Sequence, residues 1–147
     1  HQQVIGFSRV AGAIAGAKEA GIRIAKELKV AGAFHSQLMQ NAQDHLKDVL
    51  DEAEIAAPSV PVISNLTANA AADPAEIRRT LEAQVTGSVQ WTKSILGLLE
   101  QGQERFLECG PGKVLTGFMG RIRKGTFCKP TAEADMINVA MEALRTD

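Results

Sequence analysis

The sequence predicts an α/β fold with a mostly parallel sheet. Short apolar runs typical of strands alternate along the chain with amphipathic segments typical of helices. The chain has 147 residues, of which 45% are hydrophobic and 22% are charged. This length and composition are typical of a folded unit with a buried core, and they exclude a disordered chain.

The opening of the chain predicts a β-α-β unit over residues 1–30. Residues 3–7 form a short apolar strand, and Ser8 is suited to cap a helix that ends at Gly21. Apolar and charged side chains then alternate over residues 22–30, which predicts a half-buried strand. Because this unit needs further strands to close a sheet, we predict a boundary between it and residues 31–147.

The middle of the chain predicts three helices and one strand. A long amphipathic helix follows Ser36 and extends to Ala53, and an apolar strand covers Val60 to Leu66. Residues 73–76 read Asp-Pro-Ala-Glu, which combines an acidic cap with proline at the first helical position. Ser88 begins the next helix, and Gly102 ends it.

The last third of the chain repeats the alternation of strand and helix. A strand over residues 105–109 leads through a tight turn at 110–112 to a helix over 113–123. A short strand over 126–129 follows, and Thr131 is predicted to cap a final helix.

Charge and cysteine content restrict the class of protein. The net charge is −1, which argues against binding to nucleic acid or to a membrane surface through bulk charge. No apolar run approaches the ~20 residues that a membrane span requires. The two cysteines cannot build a disulfide framework, and no cysteine–histidine cluster indicates a metal site. We therefore expect a cytoplasmic protein. Because the chain begins at His1 and enters a strand almost at once, we expect it to be the later part of something longer.

The segment Gly110-Pro111-Gly112-Lys113 raises the possibility of a phosphate-binding loop. It joins a predicted strand to a helix N-terminus, where backbone N–H groups attract anions. The spacing does not fit, because Leu107 stands where a Walker loop needs its first glycine and Val114 where it needs Ser or Thr. Leu115 likewise replaces the third glycine of a dinucleotide fingerprint. We therefore favour a structural turn.

His35 and a basic stretch are the other candidate sites. His35 stands between a predicted strand and a helix N-terminus, whose partial positive charge keeps an imidazole neutral and able to act as a base. The alternative is a histidine that fills a strand–helix corner. Residues 109–131 contain five basic side chains and no acidic one, which suits either an acidic partner protein or a solvated helix face. The five are Lys113, Arg121, Arg123, Lys124 and Lys129.

Four segments, taken in order, resemble the malonyl-CoA:acyl carrier protein transacylase family. They are residues 30–39 (Val-Ala-Gly-Ala-Phe-His-Ser-Gln-Leu-Met), 61–65 (Pro-Val-Ile-Ser-Asn), Gln84 with 89–94 (Val-Gln-Trp-Thr-Lys-Ser), and 110–117 (Gly-Pro-Gly-Lys-Val-Leu-Thr-Gly). The resemblance extends over nearly the whole chain and corresponds to about the C-terminal half of the family's catalytic domain.

The resemblance implies a fold and a reaction. The fold is part of an α/β-hydrolase-like acyltransferase core, with residues 1–30 in part of a small ferredoxin-like subdomain. The reaction moves malonyl from coenzyme A to the phosphopantetheine thiol of acyl carrier protein through a serine acyl-enzyme, for fatty-acid synthesis and without a cofactor.

The resemblance also assigns roles to residues. His35 falls on the family's catalytic histidine, and Gln84 on the residue whose main-chain carbonyl orients it. Phe34, which precedes the histidine, resembles the malonyl-selective form of the family, and Ser36 and Asn65 are further substrate-binding candidates. The basic stretch becomes a candidate docking surface for the acidic carrier protein.

The sequence departs from the family in one respect. It contains no Gly-x-Ser-x-Gly, the motif that carries the nucleophile, among its six serines. The nucleophile, the carboxylate-binding arginine and the oxyanion hole belong to the family's N-terminal half. We therefore expect an inactive fragment whose partner is that missing half. Two alternatives are an acyltransferase domain of a polyketide synthase and a non-catalytic α/β module that binds an acidic protein.

Overall fold

The computed structural model describes residues 10–27 and 32–145. The chain divides into two compact units, His1–Gln90 and Trp91–Asp147. The predicted boundary between residues 30 and 31, the predicted strand over 3–7 and the Ser8 cap lie outside the described residues. The described part of the chain contains both helices and strands, as predicted, and the two alternate regularly only from β3 onward.

The first unit is built mainly from helices. Helix α1 ends just before Gly21, whose φ of 77° lies in the left-handed region that glycine adopts without strain, as predicted. Its described elements are α1 (Val10–Glu19), a 3₁₀ turn (Gln37–Met39), α2 (Gln40–Glu52), β1 (Val62–Ile63), β2 (Ala70–Ala71) and α3 (Pro74–Gln84).

Two strand predictions in the first unit need correction. Residues 22–27, the described part of the strand predicted over 22–30, are irregular, and Ile24 is 84% exposed. The strand predicted over Val60–Leu66 is reduced to Val62–Ile63, which pairs antiparallel with Ala70–Ala71. Alternating hydrophobicity marks a candidate strand, but a strand forms only where a neighbouring backbone supplies hydrogen bonds.

The two long helices of this unit pack against each other, and α3 begins as predicted. The Asp73 side chain accepts a hydrogen bond from the Glu76 amide at 2.9 Å, and Pro74 occupies the first turn. Arg78 of α3 donates to the carbonyl of Ala53 at the end of α2 at 2.8 Å. This bond satisfies a carbonyl at the helix C-terminus and fixes α2 against α3.

The second unit contains a parallel strand pair between helices. Ile95, Leu99 and Met119 form its buried core, with Trp91, Phe106, Ile122 and Cys128 packed against them. Its elements are α4 (Trp91–Glu100), β3 (Arg105–Glu108), α5 (Val114–Ile122), β4 (Phe127–Pro130) and α6 (Ala134–Arg145), and β3 pairs with β4 from Arg105↔Phe127 to Glu108↔Pro130.

The sequence predictions for the second unit are confirmed with two corrections. Helix α4 ends before Gly102, as predicted, but begins at Trp91 rather than at Ser88. Thr131 does not cap α6, because its hydroxyl donates to the Glu108 carbonyl at 3.0 Å and the helix begins at Ala134.

In the residues described, the strands form one antiparallel and one parallel pair rather than a mostly parallel sheet. None of the helices described has both the length and the apolar character needed to cross a bilayer.

Candidate active site

His35 lies in the first unit, in a turn that leads into the 3₁₀ turn before α2. Its φ of 61° is in the left-handed region, which a side chain with a Cβ rarely adopts. The His35 amide donates to the Val85 carbonyl at 3.2 Å. The end of α3 therefore helps to hold the histidine backbone in an unfavourable conformation, as is common where function fixes a residue.

The His35 ring makes its own hydrogen bond to the same segment. Nδ1 lies 2.9 Å from the main-chain carbonyl oxygen of Gln84, 49 residues away in sequence. A carbonyl oxygen only accepts, so Nδ1 carries the proton and donates. In the neutral ring this leaves the lone pair on Nε2. The exposed His35 side chain thus presents an unprotonated nitrogen that is able to act as a base.

The Gln84 side chain shapes the turn that follows α3. Its Nε2 donates to the Gly87 carbonyl at 3.1 Å and lies 3.2 Å from His35 Nδ1. Since both nitrogens are donors in this tautomer, the Gln84 carbonyl is the acceptor for the ring. The structure therefore brings together the two residues that the resemblance paired.

Gly87 completes this turn and was missed by the sequence analysis. A Cβ added at Gly87 would lie 2.4 Å from Leu66 Cδ1 and 2.8 Å from the Ala83 carbonyl oxygen. Both distances are shorter than van der Waals contact, so only glycine fits between the turn and its neighbours. We call residues 84–87 the His35 cradle. The only signal in the sequence was a glycine three residues beyond the end of α3.

The other candidate residues of the first unit differ in what their side chains do. Ser36 Oγ donates to the Ala33 carbonyl at 2.7 Å and accepts from the Leu38 amide at 3.3 Å, so it caps the 3₁₀ turn. The main-chain carbonyl of Asn65 accepts from the Gln90 amide at 2.7 Å, and its side chain is exposed. Phe34 is 55% exposed, which leaves much of its ring available to a ligand.

Glu108, in the second unit, was also missed by the sequence analysis. Its side chain is buried at the N-terminus of α5 and accepts from the amides of Leu115 at 3.0 Å and Thr116 at 2.7 Å. The Thr116 hydroxyl donates to it at 2.7 Å. A carboxylate of the chain itself therefore occupies the helix terminus that a phosphate would need. Gly110 and Gly112 have φ of 127° and 90°, which agrees with the structural turn favoured above.

We expect Glu108→Gln to lower the melting temperature of the chain by a few degrees at neutral pH. Hydrogen bonds from the Thr116 hydroxyl and from the α5 amides lower the pKa of Glu108 despite its burial. A lowered pKa in the folded state contributes stability above the unfolded-state pKa, and this stability is lost as the pH falls through the folded pKa. The difference in melting temperature between the parent and Glu108→Gln should therefore become smaller at acidic pH. Thermal melts at a series of pH values measure this difference. Glu104→Gln, at an exposed residue, is the control. A difference that does not change with pH would contradict this account.

The five basic residues all belong to the second unit and are of two kinds. Lys113, Arg121, Arg123 and Lys124 are exposed. Lys129 is half-buried, and its ammonium lies 5.7 Å from the centre of the Phe127 ring. Four of the predicted docking residues are thus exposed, and Arg121, like Lys129, also makes a cation–π contact within the unit, 6.0 Å from the centre of the Phe118 ring.

Comparison with known proteins identifies the family that the chain resembles. No protein-family model matches it. The chain is 37% identical over 131 residues to the malonyl CoA-acyl carrier protein transacylase of Bacillus subtilis, a match covering 89% of this chain and 41% of that protein. The chain is therefore similar to part of the malonyl CoA-acyl carrier protein transacylases. The resemblance drawn from the four segments is confirmed.

Solved structures of malonyl transacylases match the same stretch. The enzyme from Coxiella burnetii superposes with a TM-score of 0.86 at 34% identity, covering 92% of this chain and 43% of that one. A second match is a complex of a type II polyketide-synthase acyl carrier protein with its malonyl-transacylase, with a TM-score of 0.85 at 33% identity, covering 91% of this chain and 43% of the other. The chain therefore spans about two-fifths of the length of these transacylases.

Proposed function

We propose that this chain supplies the general base and acid of a malonyl transacylase. The enzyme would move malonyl from coenzyme A to the phosphopantetheine thiol of acyl carrier protein, and it needs no cofactor. The observation that carries the proposal is the 2.9 Å hydrogen bond from His35 Nδ1 to the Gln84 carbonyl. It lies within the segments that match the malonyl transacylases, and it leaves Nε2 free to accept a proton.

The proposed mechanism uses His35 twice in each acyl transfer. Nε2 first takes the proton of a serine hydroxyl as the serine oxygen attacks the malonyl thioester carbonyl. The carbon–sulfur bond then breaks, and Nε2 gives the same proton to the departing coenzyme A thiolate. A malonyl-serine ester remains on the enzyme. In the second half, Nε2 takes the proton of the phosphopantetheine thiol and returns it to the serine oxygen. The serine lies outside these residues, because the sequence contains no Gly-x-Ser-x-Gly.

Gln84 orients the base in this proposal. Its main-chain carbonyl accepts from Nδ1–H in the neutral ring and continues to do so in the imidazolium that forms when Nε2 takes a proton. The bond therefore fixes the ring orientation and favours the charged intermediate, the work that a buried aspartate does in a Ser-His-Asp triad. This explains how the base can act without an aspartate partner.

We assign the acyl pocket to the surface next to His35. Phe34 adjoins the base in sequence and is 55% exposed, which supports a contact with the acyl group. Asn65, with its exposed side chain, remains a substrate-binding candidate. Ser36 has a structural use as a cap, so we assign it the support of the loop that carries His35 as well as a place beside the substrate.

We expect Phe34→Ser to raise kcat/KM for methylmalonyl-CoA relative to malonyl-CoA about tenfold, because a methyl branch in a pocket is worth ~1–3 kcal/mol. The phenyl ring would occupy the volume that the α-methyl group needs. The measurement is a competition between the two thioesters in the full-length enzyme that carries this chain. Val49→Ser, at a residue 65% exposed on α2, is the control. An unchanged ratio in Phe34→Ser would make Phe34 a residue without influence on acyl choice.

The proposal also covers the subdomains, the cellular location and the pathway of the full-length protein. We assign residues 1–30 to a small ferredoxin-like subdomain and residues 31–147 to an α/β-hydrolase-like core. The missing N-terminal half would supply the nucleophile. Cys109 and Cys128 are both free thiols, which supports a cytoplasmic location. Fatty-acid synthesis is the leading pathway, with polyketide synthesis as the alternative.

We also propose that the exposed basic residues of the second unit contribute to docking of the carrier protein. Residues 109–131 carry no acidic side chain, so the positive potential of Lys113, Arg121, Arg123 and Lys124 is not offset within this stretch. Such a surface attracts an acidic partner and does so less strongly at high salt. Lys129 adds its charge from a half-buried position beside Phe127.

The test of the proposed function is malonyl transfer to holo acyl carrier protein, followed by intact-mass spectrometry. The full-length protein that carries this chain should malonylate the carrier, with a KM for carrier protein that rises with salt. The 147 residues alone should form no malonyl ester. A full-length protein without transfer activity would favour the non-catalytic module, and a malonyl ester on the isolated chain would contradict the assignment of the nucleophile to the missing half.

A further inference from the structure

A hydrogen-bond network links α2 to the His35 cradle. Gln43 lies in the first turn of α2, and Thr86 lies within the cradle, 43 residues further along the chain. The Thr86 hydroxyl donates to Gln43 Oε1 at 2.6 Å, and Gln43 Nε2 reaches Glu82 Oε1 on α3 at 3.5 Å. Both ends of the Gln43 amide are thus engaged, which fixes its orientation.

The two structures joined by this network are both connected to His35. The cradle provides the Gln84 carbonyl to the His35 ring and the Val85 carbonyl to the His35 amide. Helix α2 follows His35 after four residues, which form the Ser36 cap and the 3₁₀ turn. The position of the ring relative to its acceptor therefore depends on how α2 is placed against the cradle. Thr86 is next to Val85 in sequence and connects the cradle to α2 through its hydroxyl.

We propose that Gln43 is a positioning residue for His35. Through Thr86 it keeps the Gln84 carbonyl in line with Nδ1–H and so maintains the tautomer with a free Nε2. This inference rests on the proposed function of His35 as a base. Neither side chain touches the reacting atoms. Gln43 and Thr86 instead affect the fraction of molecules in which the His35 ring carries its proton on Nδ1 and leaves Nε2 unprotonated.

Four substitutions can distinguish a positioning role of this network from simple packing. Thr86→Val keeps the shape of the side chain but removes the donor, whereas Thr86→Ser keeps the donor. Gln43→Met keeps the length of the side chain but removes both polar ends. Gln40 lies on the same helix and bonds to Asp44 of that helix at 2.8 Å, so Gln40→Met is a matched control.

The experiment measures the His35 tautomer and the kinetics in the same variants. Ring ¹⁵N shifts of the full-length protein that carries this chain report the Nδ1–H fraction, and His35→Ala identifies the signals. We expect Thr86→Val and Gln43→Met each to lower this fraction and to reduce kcat about three- to tenfold, the size expected from one neutral hydrogen bond. The KM for malonyl-CoA should change less than twofold. Thr86→Ser and Gln40→Met should stay close to the parent, and the double variant should lose no more than either single one.

The results that would contradict the positioning role differ from those that would contradict the proposed function. Thr86→Val and Gln43→Met with a lowered melting temperature but an unchanged tautomer would overturn the inference and leave a purely structural contact. Losses that add in the double variant would overturn it as well. If the parent shows no malonyl transfer while the tautomer shifts as described, the proposed function fails and the positioning role stands. If the parent is active and the tautomer does not move, the positioning role alone fails.

Discussion

His35→Ala should lower the turnover number for malonyl transfer by about 10²–10⁴-fold in the full-length enzyme that carries this chain. Nε2 is the nitrogen left free by the bond between Nδ1 and the Gln84 carbonyl. Without it, the serine proton passes to water during attack, and the departing thiolate has no positioned acid. The loss should appear in both halves of the reaction, because the same nitrogen serves each. Pre-steady-state measurement of acyl-enzyme formation and of transfer to carrier protein checks this.

The matched control for this prediction is His45→Ala. His45 is exposed on α2, and its removal should leave turnover within about twofold of the parent, as surface substitutions usually do. Circular dichroism of both variants separates lost chemistry from lost fold. A His35→Ala enzyme with nearly full turnover would make His35 an exposed residue of the turn before α2 without a catalytic role, and the proposed mechanism would be wrong.

Gly87→Ala should reduce kcat by up to about 10²-fold, the cost of displacing a catalytic group by about 1 Å. The added Cβ would lie 2.8 Å from the Ala83 carbonyl oxygen. That oxygen belongs to the backbone of α3 and cannot turn away as a side chain can. The His35 cradle must therefore shift, and the Gln84 and Val85 carbonyls shift with it. Turnover and the melting temperature should both fall.

Gly97→Ala is the control for this substitution. Gly97 lies in α4 with open space around its Cβ position, so alanine there should preserve turnover. It should raise stability by up to about 1 kcal/mol, the difference in helix propensity. Equal turnover in Gly87→Ala and the parent would show that the cradle tolerates displacement, and the link between cradle geometry and activity would be wrong.

Helix ends were predictable from the sequence because their signals are local. Asp73 and Pro74 mark the start of α3, and Gly102 follows the end of α4, each within one turn of the helix it delimits. Strands were predicted less well. Ala70–Ala71 carries no strand signal and becomes β2 only because Val62–Ile63 lies beside it. Pairing of this kind is decided by tertiary structure and not by the alternation of side chains.

The candidate site shows the same division between local and tertiary information. His35 stood out from its place before a helix, but its bond to Gln84 spans 49 residues, and only the resemblance to a family paired the two. Gln43 and Thr86 carry no motif, and they meet because α2 packs against α3. Glu108 was missed because a carboxylate that caps a helix from the preceding strand leaves no capping pattern in the sequence.

The left-handed backbone of His35 sets stability and activity against each other at one position. A non-glycine residue in that region costs on the order of 1–2 kcal/mol, and glycine would relieve it. Glycine would also remove the proposed base. A library of this protein selected for heat resistance alone would therefore drift toward glycine at position 35, whereas a library selected on growth through malonyl transfer would keep histidine and accept the strain.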